Sequence, residues 1–139
     1  MKHYYRHVMA AVAVCVLLQL PPSGAVSYGG SGGVVQIEQL GFYPDTLGFP
    51  GDAVAVLVVQ NREDGPIQHE VLSKELFQPG TLVSIAGTGE IEYDHERVTK
   101  ILLSPGEEIV IWFFARKGWT YGVQCNLNGH AMVATIQAF

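Results

Sequence analysis

Apolar residues along this chain fall in short blocks, separated by glycine, proline and polar residues. β-Branched and aromatic side chains fill residues 34–40, 53–59, 98–103, 108–114, 119–125 and 132–139. Blocks of this length and composition predict β-strands. Residues 53–59 and 108–114 are apolar on both alternating faces, which predicts strands covered on both sides. Residues 119–125 alternate instead, which places Tyr121, Val123 and Cys125 on one face. Residues 46–49, hemmed by Pro44 and by the turn pair Pro50-Gly51, read as a short edge strand. Residues 66–72 read as the return of a hairpin-like unit with 53–59. Residues 76–94 are broken by Pro79, Gly80, Gly87 and Gly89, and read as short strands at 81–85 and 90–93 covering one end of the fold. No stretch has a helical period. Short strands at regular turn signals predict an all-β fold, a Greek-key β-sandwich or barrel.

The first apolar block has a different character. Lys2 and Arg6 precede a continuous apolar run over residues 8–20, followed by Pro21, Pro22 and the small residues Ser23, Gly24 and Ala25. This is the layout of a secretory signal peptide, residues 1–25. The run falls short of the roughly 20 apolar residues a membrane span needs. Residues 26–33 are Gly/Ser-rich and read as a flexible N-terminal segment. Residues 34–139 then make one domain, exported to the periplasm or otherwise secreted.

Removal of residues 1–25 changes the residue inventory. The whole chain carries 8 Lys+Arg and 13 Asp+Glu, a formal net charge of −5, and Lys2 and Arg6 leave with the signal. The exported domain is therefore more acidic than the whole chain. Nucleic acid and anionic lipid both demand basic patches, so neither is an expected partner, and no membrane insertion is expected after cleavage. Of 2 Cys, only Cys125 remains, so no internal disulfide can form; of 3 Met, only Met132 remains. A lone thiol in an exported protein calls for a function.

That thiol opens a compact group: Cys125, His130 and Met132 lie within eight positions, and His69 follows the polar segment after residues 53–59. Loops at one end of a sandwich converge, so both segments can reach one point. One thiolate, two imidazoles and a weak axial thioether are the ligand set of a mononuclear blue-copper site. Zinc could use the same residues, but copper binds more tightly in the divalent series. A binuclear centre with two bridging cysteines is excluded by the single thiol. His95, between Asp94 and Glu96, reads as a solvated residue and the reserve ligand. No Gly-x-Ser-x-Gly motif points to hydrolysis, and no enzymatic activity is expected.

The chain resembles the cupredoxins, in the plastocyanin and azurin group. The resemblance rests on Tyr43-Pro-Asp-Thr-Leu with Pro50-Gly-Asp52, the Asn61 to His69 loop, Leu103-Ser-Pro-Gly-Glu-Glu, and Gly118-Trp-Thr-Tyr-Gly-Val-Gln-Cys-Asn-Leu-Asn-Gly-His130. It implies a copper-binding Greek-key sandwich, with His69, Cys125 and His130 as equatorial ligands and Met132 as axial ligand. It also implies single-electron transfer through Cu(II)/Cu(I) between transient partners such as a cytochrome or an oxidase, by a monomer. Copper trafficking or resistance, or a metal-free interaction domain, are the alternatives. Two positions depart from the family pattern. One residue, Ala131, separates His130 from Met132 where the family has two or more. Asn128 stands where a proline usually precedes Gly-His. If Met132 misses the metal, a backbone carbonyl between residues 66 and 68 is the other axial donor.

Overall fold

The computed structural model describes residues 31–139. The expected signal peptide and most of the Gly/Ser-rich segment lie outside the described residues. The first strand, β1 (Ser31–Glu38), begins inside that segment. Ser31, Gly32 and Gly33 are already in register with Ala55, Val56 and Leu57, so ladder pairing outweighs glycine's preference for coil.

Two layers face each other. The first is a five-stranded sheet in the order β2 (Gly41–Tyr43), β1, β4 (Ala53–Asn61), β9 (Glu108–Ala115) and β6 (Leu82–Gly87). The second holds two three-stranded ladders. One is β10 (Thr120–Cys125), β11 (Met132–Ala138) and β3 (Thr46–Phe49); the other is β5 (His69–Val71), β8 (Arg97–Leu103) and β7 (Glu90–Asp94). Leu72 and Gln124 join them by exchanging two backbone hydrogen bonds of 2.9 Å. That bridge brings the end of β5 beside the end of β10.

The periodicity explains the layering. Ile37, Ala55, Leu57, Val59, Ile109, Ile111 and Phe113 project from the first sheet into the core, against Val71, Ile101, Leu103, Tyr121, Val123 and Ile136. On the opposite face of the first sheet, Val56, Val58 and Val110 form a second buried cluster, with Val34 and Trp112 packed against it. This accounts for two strands that are apolar on both faces. Phe49, Phe113 and Tyr121 meet edge-on, at centroid separations of 5.6 and 5.3 Å. The buried Tyr121 hydroxyl accepts a 2.7 Å hydrogen bond from the Arg116 amide and donates to the Phe114 carbonyl. It thereby anchors the turn that feeds β10.

Two expectations need correction. Residues 66–72 form only the three-residue β5, which pairs with β8 rather than with β4, because the segment before it follows the side chain of Asn61. Residues 76–94 do not simply cap one end: β6 extends the first sheet and β7 the second. Residues 41–43, which carry no strand signal in the sequence, pair with β1 as a short strand.

Candidate metal centre

Asn61 ends β4 fully buried, and its side chain organises the segment that follows. Its amide donates to the carbonyls of Ile67 and Leu103, both at 2.9 Å, and its carbonyl accepts the Glu63 amide at 3.1 Å. This turns the chain back so that β5 begins at His69, paired with Leu103 of β8. His69 is thus a fully buried strand residue, not the loop residue its polar surroundings implied.

Cys125 closes β10, and burial follows from the alternation that also buries Tyr121 and Val123. A 3-10 turn, Leu127–Gly129, then reverses the chain, with the His130 amide donating to the Leu127 carbonyl at 3.0 Å. Asn128 takes the left-handed conformation, φ 53 and ψ 29. A proline, held near φ −65, could not adopt it, whereas asparagine does so readily. The departure at this position is therefore part of the turn's geometry. Gly129, at φ 81, continues it.

These two segments bring three donors to one point. Cys125 Sγ lies 3.6 Å from Nδ1 of His69 and 3.7 Å from Nδ1 of His130. The two rings are 4.9 Å apart at 42°. Ligand atoms of all three residues lie within 4.8 Å of one another, and among the described residues no other histidine, cysteine or carboxylate group joins them. His69 and Cys125 are buried and His130 is partly open to solvent. Met132 is the register partner of Cys125, so its side chain rises from the same face, and it is 4% exposed. His95 stays outside the group, exposed and paired with Asp94 at 2.8 Å.

Three surrounding groups were not singled out by sequence reasoning. Glu63 Oε1 is 3.2 Å from His69 Nε2 and accepts the Leu40 amide at 2.8 Å. With Nε2–H donated to Glu63, the lone pair of His69 sits on Nδ1, facing the thiol. The Glu70 amide donates to Cys125 Sγ at 3.4 Å, and the Glu70 carboxylate accepts the Asn126 amide at 3.0 Å. Asn61, the third, holds the loop. A carboxylate six residues before one ligand and another directly after it are visible in the chain, but nothing local to them marks their partners.

Electrostatics keep the donors ready for a cation. Burial pushes His69 below its ordinary pKa against the opposing pull of Glu63, so the imidazole is in its neutral, ligating form. Burial pushes the Cys125 thiol up, partly offset by the Glu70 and Leu127 amides. Burial also works against ionised Glu63, but the Leu40 amide and His69 outweigh it and hold the carboxyl below the usual range. One thiol and two imidazoles with ligand atoms within 4.8 Å of one another fit a single mononuclear copper ion.

No protein-family model matches the chain, and no curated protein matches it by sequence. Solved structures do match. Auracyanin B superposes with a TM-score of 0.54 at 18% identity, over 78% of this chain and 88% of that one. Dithionite-reduced auracyanin from the photosynthetic bacterium Roseiflexus castenholzii gives 0.56 at 15% identity, over 80% and 99%. A multicopper oxidase gives 0.54 at 8% identity, over 78% of this chain and 44% of its own. At these identities what is shared is the fold.

Proposed function

Taking as premise a chain with the cupredoxin fold, we propose that it is a small exported type 1 copper protein carrying single electrons between redox partners. The observation that carries this reading is the buried thiol flanked by two imidazole Nδ1 atoms at 3.6 and 3.7 Å. His69, Cys125 and His130 would hold the ion, with Met132, opposite Cys125 in the ladder, as a fourth donor. Copper in such a site supplies reversible one-electron chemistry.

The chain's own residues supply the rest. β5, β10 and β11 hold His69, Cys125 and Met132 on hydrogen-bonded ladders, and the 3-10 turn fixes His130 through its amide, so the donors need move little when the charge changes. Val71, Leu103 and Val123 keep water from the inner side. His130, partly exposed beside Leu127 and Ala131, gives a partner short access to the centre. Partners of the cytochrome or oxidase class would meet it there in small, transient contacts. The basic and apolar layout of residues 1–20 supports a periplasmic or otherwise exported location.

Titration of the purified apoprotein with Cu(II) tests this reading. One equivalent should produce an intense visible thiolate-to-copper band that dithionite bleaches and a mild oxidant restores. Cys125→Ala should abolish it. Absence of the band in the native protein, or its persistence in Cys125→Ala, would refute the proposal.

A further inference from the structure

Two carboxylates flank the donor group from different sides, and neither is a ligand in the reading above. Glu63 touches His69 at Nε2, the ring atom that faces away from the thiol, at 3.2 Å. Glu70 sits behind the thiol: its amide donates to Sγ and its carboxylate receives the Asn126 amide, the residue after Cys125. Both are shielded from solvent, Glu70 at 7% exposure and the Glu63 side chain at 9%. Among the described residues neither is paired with a lysine or arginine; the ion pairs present are Glu63 with His69, Asp94 with His95 and Glu92 with Lys100.

We infer that Glu63 and Glu70 are positioning residues whose fixed negative charge biases the centre toward the divalent, oxidised ion and gives it a low reduction potential. The inference rests on the copper reading above. Reduction removes one unit of positive charge from a place next to two shielded anions. At short range and low screening that loss is costly, so the oxidised state is favoured. Glu63 acts through His69, since a carboxylate on the far ring nitrogen makes the imidazole a stronger donor. Glu70 acts through space on the thiolate and holds the Cys125 loop against β5. The partner class follows from the same sign: a donor strong enough to reduce a centre that holds its positive charge.

Isosteric amides separate charge from shape. Glu63→Gln and Glu70→Gln each keep an acceptor oxygen for the Leu40 and Asn126 amides, and the exposed Asp94→Asn serves as control. Each glutamine should raise the reduction potential of the copper-loaded protein. The expected change is about tenfold in the Cu(II)/Cu(I) binding ratio, or about 59 mV for one electron. A second measurement uses apoprotein without redox chemistry. Affinity for Co(II) should fall by about tenfold in each variant, and affinity for monovalent Ag(I) by much less.

Potentials equal to the native value in both variants would overturn the inference, as would an equal shift in Asp94→Asn. The two glutamates act through different ligands, so if one variant fails to fold the other still decides. A native protein with no thiolate-to-copper band would refute the carrier reading itself. A native band with unmoved potentials refutes only the role of the carboxylates.

Discussion

Asn61 shows how much of the centre depends on a residue that cannot touch a metal. It satisfies the Ile67 and Leu103 carbonyls and the Glu63 amide from a fully buried position. Asn61→Ala should cost about 2–3 kcal/mol, because two carbonyls lose their donor where water does not compensate. Chemical denaturation of the apoprotein measures this, and a loss below about 0.5 kcal/mol would show the loop to be held otherwise. The candidate donors were legible because their types are rare beyond residue 25: one thiol, with an imidazole five positions on. Asn61 and Glu63 were not. Amides and carboxylates are common in loops, and only a folded chain reveals which of them face inward. His69 lay between, found as a residue but placed in a loop, since its burial comes from β8 and β10 rather than from its neighbours.

At the scale of elements, strand identity followed the apolar blocks closely, and the clearest error is β5. It is only three residues long, and its ladder partner β8 lies far along the chain, so no local pattern announces the pairing. A single bridge between Leu72 and Gln124 closes the second layer. Gly87, closing β6, has φ 140, and an added Cβ would run into the Glu108 carbonyl. Its place in the chain was legible only as a break between two strands. Gly87→Ala should destabilise the fold by about 1–3 kcal/mol through backbone strain. The copper band should be unaltered at temperatures where the protein stays folded, because β6 lies in the first sheet and the donors in the second. A thermal melt with the spectrum recorded in parallel checks both parts, and a lost band in folded protein would contradict the placement.

At the scale of the whole molecule, the centre ties two ladders together, so occupancy should stabilise the domain as a unit. A ligand at 100 times its Kd adds about 2.7 kcal/mol to a folded state that alone binds it. For a domain of this size that corresponds to a rise of about 10 °C in Tm. Calorimetry with and without one equivalent of copper measures it. Removal of the metal by a chelator should reverse the rise, and Cys125→Ala should show none. The sequence by itself determined the all-β class, the strand-rich layout and the residue types of the centre, because period and composition are local properties of the chain. The tertiary structure decided the rest. It set a fully buried His69 beside Cys125, turned Asn128 left-handed to aim His130, and placed Glu63 and Glu70 around the donors. Those relations join positions such as 70 and 125, which meet through strand pairing across the sandwich. No local pattern encodes which distant backbone a segment will pair with, so the site's surroundings could be read only from the folded chain.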